Sequence, residues 1–301
     1  MWEKCSVVFK LKSPLHIGYT PFKGSVVSPT RYYVLGRNFW GAITKRITEF
    51  LYNEPKDIDY RNIGKEVMKN FKFSHFYLYD GKTVFTPSYT DEGLNYGGIP
   101  QTKFEHMFIG SRISTAIDEN SGTARDESLH EIEFINNKFR DEKGNIKGVK
   151  IAGYIWVKNT AKILENKIQF GTNSITINGF NIIQELVLGG ESKYGFGDVE
   201  IDFLKQGDED EKDEKVMIEI NNEQPLDCYL EYSKEIQFEV DIELLTGRVY
   251  YDPETDNNEP NNTPGEKMSK VKICFTPGTI IGKYDAELNY DGTLRIINNP
   301  K

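Results

Sequence analysis

The stretch Leu188-Gly189-Gly190-Glu191-Ser192-Lys193-Tyr194-Gly195-Phe196-Gly197-Asp198-Val199 sets four glycines within nine positions. Glycine accepts left-handed backbone and lets another chain or a ligand approach without obstruction by Cβ, so successive N–H groups can turn toward one concave point. Ser192 adds a donor and Lys193 a charge. On these mechanics two readings stand side by side, a turn tightened for packing and a cradle for phosphate. The terminal Lys-Ser/Thr of a nucleotide P-loop is missing, and no strand of the dinucleotide-binding type precedes the stretch, which speaks against ATP and NAD.

Working outward, the apolar run Ile175, Ile177, Phe180, Ile182, Ile183, Leu186 and Val187 predicts a helix over about Gly179 to Leu188, with Gly189-Gly190 in the place of a glycine C-cap. A strand is expected from Val199. Near the start, Cys5 to Leu11 alternates as a half-buried strand ended by Ser13-Pro14, and Tyr32 to Leu35 reads as a second short strand. From an N-cap at Asn38 the period becomes helical, with Phe39, Ile43 and Ile47 four apart and Lys45, Arg46 and Glu49 on other faces. Asp80-Gly81 marks a hairpin between Phe71 to Tyr79 and Lys82 to Phe85, and Val149 to Val157 and Lys167 to Phe170 follow as strands. This mixture of elements is α+β.

The 301 residues, 38% hydrophobic and 13% aromatic, can furnish the core of one large domain or two smaller ones. The net charge of −9 argues against a polyanion ligand until its placement is examined. Residues 206–301 hold 10 Lys plus Arg against 22 Asp plus Glu, a net of −12, which leaves 27 against 24, or +3, in residues 1–205. The acidic run from Asp208 to Glu214 therefore reads as a solvated linker over 206–215, between a domain at 1–205 and a small β-rich region at 216–301. Within the latter, Ile218 to Ile220, Tyr229 to Tyr232, Ile236 to Ile242, Val249 to Tyr251 and Val271 to Phe275 are short strand candidates, and Asp252 to Glu266 is a loop by composition. No apolar stretch reaches membrane-spanning length and Met1 to Lys12 lacks the pattern of a signal peptide, so a cytoplasmic location without membrane contact is expected. Cys5, Cys228 and Cys274 are widely spaced and fit reduced, buried thiols. His16, His75, His106 and His130 show no metal-binding spacing, so neither metal nor cofactor is expected.

Three segments resemble one family. Leu188 to Val199 is similar to the glycine-rich loop of the RAMP superfamily, the repeat-associated CRISPR proteins built on ferredoxin-like or RRM-like folds. Ser13-Pro14-Leu15-His16-Ile17-Gly18, followed by Gly36-Arg37-Asn38-Phe39-Trp40-Gly41-Ala42, resembles the family's first strand, glycine-bearing loop and first helix. Asn120 to His130 is similar to the segment that precedes a strand in type III effector subunits. The order of the three is the family's order, across about residues 6–200; the chain after about 206 is not covered.

The resemblance implies a ferredoxin-like or RRM-like core with insertions over 1–205, a β-rich appendage, and a noncatalytic subunit that binds CRISPR guide RNA in a type III antiviral complex. Its partners would be CRISPR RNA, other effector subunits and, further, target RNA. RNA contacts would come from Gly189, Gly190, Ser192, Lys193, Gly195 and Gly197, with Arg37 and Arg125 beside them, the latter in a polar loop over 111–130 that reaches over the guide. Slicing relatives carry an aspartate between the first strand and first helix, whereas Ile17 to Arg37 holds no Asp or Glu; a carboxylate elsewhere, Asp118 or Asp126, would have to converge on RNA. Two alternatives stay open. One is an endoribonuclease with His16 as base and Tyr19, Lys23 or Arg37 as its partner, and the other is a scaffold whose acidic C-terminal third meets neighbouring proteins.

Overall fold

The computed structural model describes residues 1–19, 25–126, 128–207, 215–234, 236, 241–249, 253 and 267–298. Lys23, the acidic run 208–214, the stretch 237–240 and all of 252–266 except Pro253 lie outside them.

The fold is α+β and is organised on β1 (Trp2–Leu11), whose Cys5, Val7, Phe9 and Leu11 are buried at every second position. On one side β1 runs antiparallel to β8 (Lys150–Lys158), and on the other to β10 (Asp198–Gln206). With β3 (Tyr33–Val34), β5 (Phe76–Tyr79) and β9 (Glu185–Val187) the sheet order is β9-β10-β1-β8-β5-β3, and β4 (Phe71–Phe73) also pairs with β8. Across the sheet these four run β10-β1-β8-β5, so that strands numbered one to four in chain order lie 4-1-3-2, all antiparallel to their neighbours, as in a ferredoxin-like sheet.

Two helices fill the first crossover. In α1 (Gly36–Leu51), Phe39, Ile43 and Ile47 reach the core with the expected four-residue period. The helix begins two residues before the expected cap, with Leu35 at the N-cap, so Asn38 lies in the first turn. The sequence reading missed α2 (Asp57–Asn70), whose buried apolar side chains are only Ile63 and Val67; the Asp59 carboxylate marks its start by accepting the Lys56 N–H at 2.8 Å. It also missed the short α3 (Gln101–Phe108).

The second crossover holds no helix. Residues 162–181 form short antiparallel strands instead, and the helix expected over Gly179 to Leu188 is a turn followed by β9. The cause is local. Asn173 and Asn178 (both φ 51°) and Gly179 (φ 80°) take left-handed backbone, and the Asn181 side-chain oxygen accepts from the Ile175 and Ile183 amides at 3.3 and 3.2 Å. The apolar pair Ile175 and Ile177 follows the period of two of a strand.

The polar loop expected over 111–130 is the end of a hairpin, with 111–114 and 130 already in its strands. Here β6 (Ile109–Ser114) pairs with β7 (His130–Ile135), and β2 (Val27–Ser28) lies parallel to β7. Its base is held to the segment after β1 by a bridge between Leu15 and Ile135.

Beyond residue 215 a second sheet is ordered β11-β15-β16-β12-β14-β13, from β11 (Met217–Ile220), β12 (Tyr229–Glu231), β13 (Ile242–Leu245), β14 (Lys272–Phe275), β15 (Tyr284–Leu288) and β16 (Thr293–Asn298). This is the β-rich C-terminal part expected from the sequence, and it packs on the first sheet. Trp2 and Trp156 of the first sheet belong to its core with Val216, Leu230, Phe275 and Leu294, and the Tyr77 hydroxyl donates to the Asp227 carbonyl at 2.5 Å. Cys5, Cys228 and Cys274 are buried free thiols.

At the seam Arg31, 1% exposed, donates to the Gly18 carbonyl at 2.6 Å and to the Glu243 carboxylate, which also accepts from the Tyr229 hydroxyl. Burial opposes the charge of Arg31, but Tyr229 and Glu243 outweigh it and hold the guanidinium above its ordinary pKa. His75 lies at the same seam, stacked on Tyr33 with both ring nitrogens against backbone amides, those of Gly36 (3.3 Å) and Tyr229 (3.4 Å). Burial, the main cause, lowers its pKa from 6.5 to about 3, so the ring stays neutral in the fold. In the unfolded chain it protonates as pH falls through 6.5, and the unfolded state then holds the extra proton. Stability is therefore lost on acidification between 6.5 and about 3. Urea unfolding should show about 2 kcal/mol less stability at pH 5 than at pH 7 from this group, a difference that His75→Gln removes.

Candidate functional site

The glycine-rich stretch joins β9 to β10 and is pressed onto the segment that follows β1. The Gly190 and Gly197 amides donate to the carbonyls of His16 (2.9 Å) and Pro14 (2.8 Å), and the Leu188 amide donates to the Gly197 carbonyl at 2.9 Å. Gly189 (φ +77°) and Gly197 (φ +91°) are required twice over, because a Cβ would also fall 2.2 Å from the carbonyl oxygens of His16 and Leu188 respectively. For Gly189, Gly190 and Gly197 the packing role is thus explicit. Gly195 (φ +80°) faces open space, and the amides of Gly189, Glu191, Ser192 and Lys193 meet no protein acceptor among the described residues. Beside them the Tyr194 ring, which the sequence reading passed over, is 70% exposed.

His16 is nearly sealed, at 5% exposure. Its Nδ1 donates to the Glu133 carbonyl at 2.7 Å, which fixes the ring between the β6–β7 hairpin and the glycine loop, and a Cβ on Gly18 would lie 2.9 Å from its Nε2. Tyr19 is stacked under the Arg31 guanidinium at 4.0 Å. Arg125 is exposed in the hairpin loop, ten residues before Ile135 and so up to roughly 30 Å from it along an extended chain. Asp118 belongs to the same loop and is turned inward on Ser121, accepting from its amide at 2.9 Å and its hydroxyl at 3.0 Å; Asp126 is exposed there. Neither aspartate is near His16 along the hairpin, and no group of three or more His, Cys, Asp or Glu among the described residues could hold a metal.

Arg37 and the glycine loop do come together. Along α1 a cleft of about 610 Å³ is lined by Arg37, Gly41, Thr44 and Lys45, by Val187 and Gly189 from the β9 side, by Asp57 and Tyr60 of α2, and by Arg248 and Val249 of the C-terminal part. The spacing 37, 41, 44, 45 puts these α1 residues on one helix face. Arg37 reaches across to Ser269, with Nη1 3.4 Å from its hydroxyl. Its pKa is lowered, first by burial and then by the neighbouring charge of Arg31, so an anion in the cleft would relieve a penalised cation. Asn38 Oδ1 and Thr44 Oγ1 are sealed in the cleft wall and find no hydrogen-bond partner among the described residues. A second cleft of about 410 Å³ shares Ala42, Lys45 and Val187 with the first and adds Lys12 and Arg46 together with the carboxylates of Glu49, Glu185 and Asp198. The α1 cleft therefore brings Arg37, Lys45 and Arg248 together beside Asp57, with open space at Gly41.

No family model and no curated protein matches the sequence. Two solved chains share part of its trace. One is from Type III-B Cmr-beta bound to cognate target RNA, at a TM-score of 0.47 and 12% identity over 92% of this chain and 86% of that one. The other is from Type III-B Cmr-beta bound to cognate target RNA and AMPPnP, state 1, at 0.46 and 11% over 92% and 85%. At this level of similarity the likeness carries no functional argument.

Arg248 and Thr44 escaped the sequence reading because nothing local distinguishes them: Arg248 lies 211 residues from Arg37 and enters the site only through the packing of the two sheets.

Proposed function

We propose that this protein is a noncatalytic RNA-binding subunit of a type III CRISPR ribonucleoprotein, a member of the RAMP superfamily that holds guide RNA beside other effector subunits. The cleft along α1 carries this reading, because Arg37, Lys45 and Arg248 converge there around Gly41 and Gly189. Phosphates satisfy the cations, and Gly41, whose Cβ position is open space, leaves room for a sugar-phosphate backbone. At the mouth of the glycine loop Lys193 and the exposed Tyr194 ring combine a charge with a stacking surface, the usual means of holding single strands.

The noncatalytic part of the proposal rests on the absence of any carboxylate from Ile17 to Arg37 and on the sealed, hydrogen-bonded position of His16. A scaffold that scarcely touches RNA would not need cations gathered along an open cleft. Lys45→Gln combined with Arg248→Gln should weaken single-stranded RNA binding at least tenfold, the scale of one charged hydrogen bond. Tyr194→Ala should weaken it about fivefold through lost stacking. Unchanged affinity in the double variant, measured by fluorescence anisotropy at fixed salt, would sink the reading.

A further inference from the structure

The charges of the α1 cleft form two poles. Arg37 and Lys45 of α1 and Arg248 of the C-terminal part supply the cations, and Asp57, the first residue of α2, supplies the one carboxylate among the described lining residues. Asp57 and Tyr60 lie three apart and so share the face of α2 that is turned to the cleft. Asp59, between them, is turned instead to the start of the helix, where it accepts the Lys56 amide at 2.8 Å. The end of α2 is therefore capped without Asp57. An aspartate in the first turn suits the helix dipole from any outward position, and that role does not call for a place in a cleft lined by cations. The Asp57 carboxylate is half-buried and enters no ion pair or hydrogen bond among the described residues.

That placement restricts what a bound strand can present. Phosphates drawn to Arg37, Lys45 and Arg248 are repelled by Asp57, because like charges across an interface act against the pairing. The α2 end of the cleft is thereby left to a base. The cleft volume of about 610 Å³ lies within the roughly 300–1,000 Å³ of small-ligand sites, and Ala42, Val187 and Val249 give it apolar wall against which a base can lie. A carboxylate only accepts hydrogen bonds. Among the RNA bases guanine alone presents adjacent N–H donors, N1–H and the 2-amino group, to both carboxylate oxygens. Adenine and cytosine set an acceptor ring nitrogen beside their amino group, and uracil flanks its N–H with carbonyls, so each of these brings an acceptor against the carboxylate.

We infer that Asp57 selects guanine in single-stranded RNA: its carboxylate accepts from N1–H and the 2-amino group of one guanine in the α1 cleft, while Arg37, Lys45 and Arg248 hold the flanking phosphates. This rests on the RNA-binding reading above and gives the same site a base preference. The Watson–Crick edge of an unpaired base is open to such a contact, and one bidentate pair discriminates about tenfold against the wrong base.

The experiment uses the full chain and fluorescence anisotropy at fixed salt, with a 5′-labelled oligouridine of about 15 nucleotides and the same strand carrying one central guanosine, adenosine, cytidine or inosine. The expected result is about tenfold tighter binding of the guanosine strand than of the oligouridine, adenosine or cytidine strands. Inosine, which keeps N1–H but lacks the 2-amino group, should lose most of that preference. Asp57→Asn should bring the guanosine strand to within about twofold of oligouridine. The inosine comparison is made on the parent chain and decides independently of how well the variant folds. Equal binding of all the strands by the parent overturns the guanine preference while leaving the RNA-binding reading intact. A preference that inosine retains in full, or that survives in a folded Asp57→Asn chain, places the recognition elsewhere and overturns the role of Asp57. A parent chain that binds none of the strands overturns both.

Discussion

Gly197→Ala should destabilise the protein by about 3 kcal/mol or more, whereas Gly195→Ala, two residues away, should cost about 1 kcal/mol. Both positions have left-handed backbone, at φ +91° and +80°, which penalises any Cβ by roughly 1–2 kcal/mol. The difference lies in what the Cβ meets. At Gly195 it enters open space, while at Gly197 it would lie 2.2 Å from the Leu188 carbonyl oxygen. Relieving that overlap means moving strand ends bound by the Leu188 to Gly197 and Gly197 to Pro14 hydrogen bonds, each worth about 1 kcal/mol. Urea denaturation of the purified chain measures both variants. Equal losses at the two positions would show that the loop is not clamped onto the segment after β1.

Removing the Glu243 carboxylate should cost about 3–5 kcal/mol, because it leaves the buried Arg31 guanidinium without its counter-charge and Tyr229 without its acceptor. Arg31 cannot reach water to compensate, since its side chain is 2% exposed. The pair Arg31→Met with Glu243→Leu removes both charges together and should recover much of that loss, as replacement of buried ion pairs by apolar groups often does. A double-mutant cycle decides the matter. Strict additivity of the two single losses would mean that the residues do not act as a pair, and the seam between the sheets would need another explanation.

The sequence carried the parts of this fold whose pattern is local. Alternation in Cys5 to Leu11 marks the central strand, and the period of four through Phe39, Ile43 and Ile47 marks the first helix. The stretch before the glycines was misread because its apolar residues are dense enough to satisfy two periods. Left-handed Asn173 and Asn178 and the cap formed by Asn181 decide between them, and neither is visible in a hydrophobic pattern. The glycines themselves signal a constrained loop without saying which neighbour constrains it; the structure assigns Gly189 to His16 and Gly197 to Leu188. Charge summed over residues 206–301 says nothing of where single cations go, and Arg248 reaches the α1 cleft only through the packing of the two sheets. Arg37 could be singled out from its place beside Gly36 at the helix entrance, but its partners across the seam are more than 200 residues away in the chain.

The central claim, that the cleft along α1 holds guide RNA, is tested most directly by expressing the chain with its neighbouring genes, purifying it and sequencing whatever RNA accompanies it, with the Lys45→Gln, Arg248→Gln chain in parallel. The account predicts repeat-derived RNA with the parent chain and its marked depletion with the variant. The same RNA recovered in equal amount from both, or none from either, would contradict it.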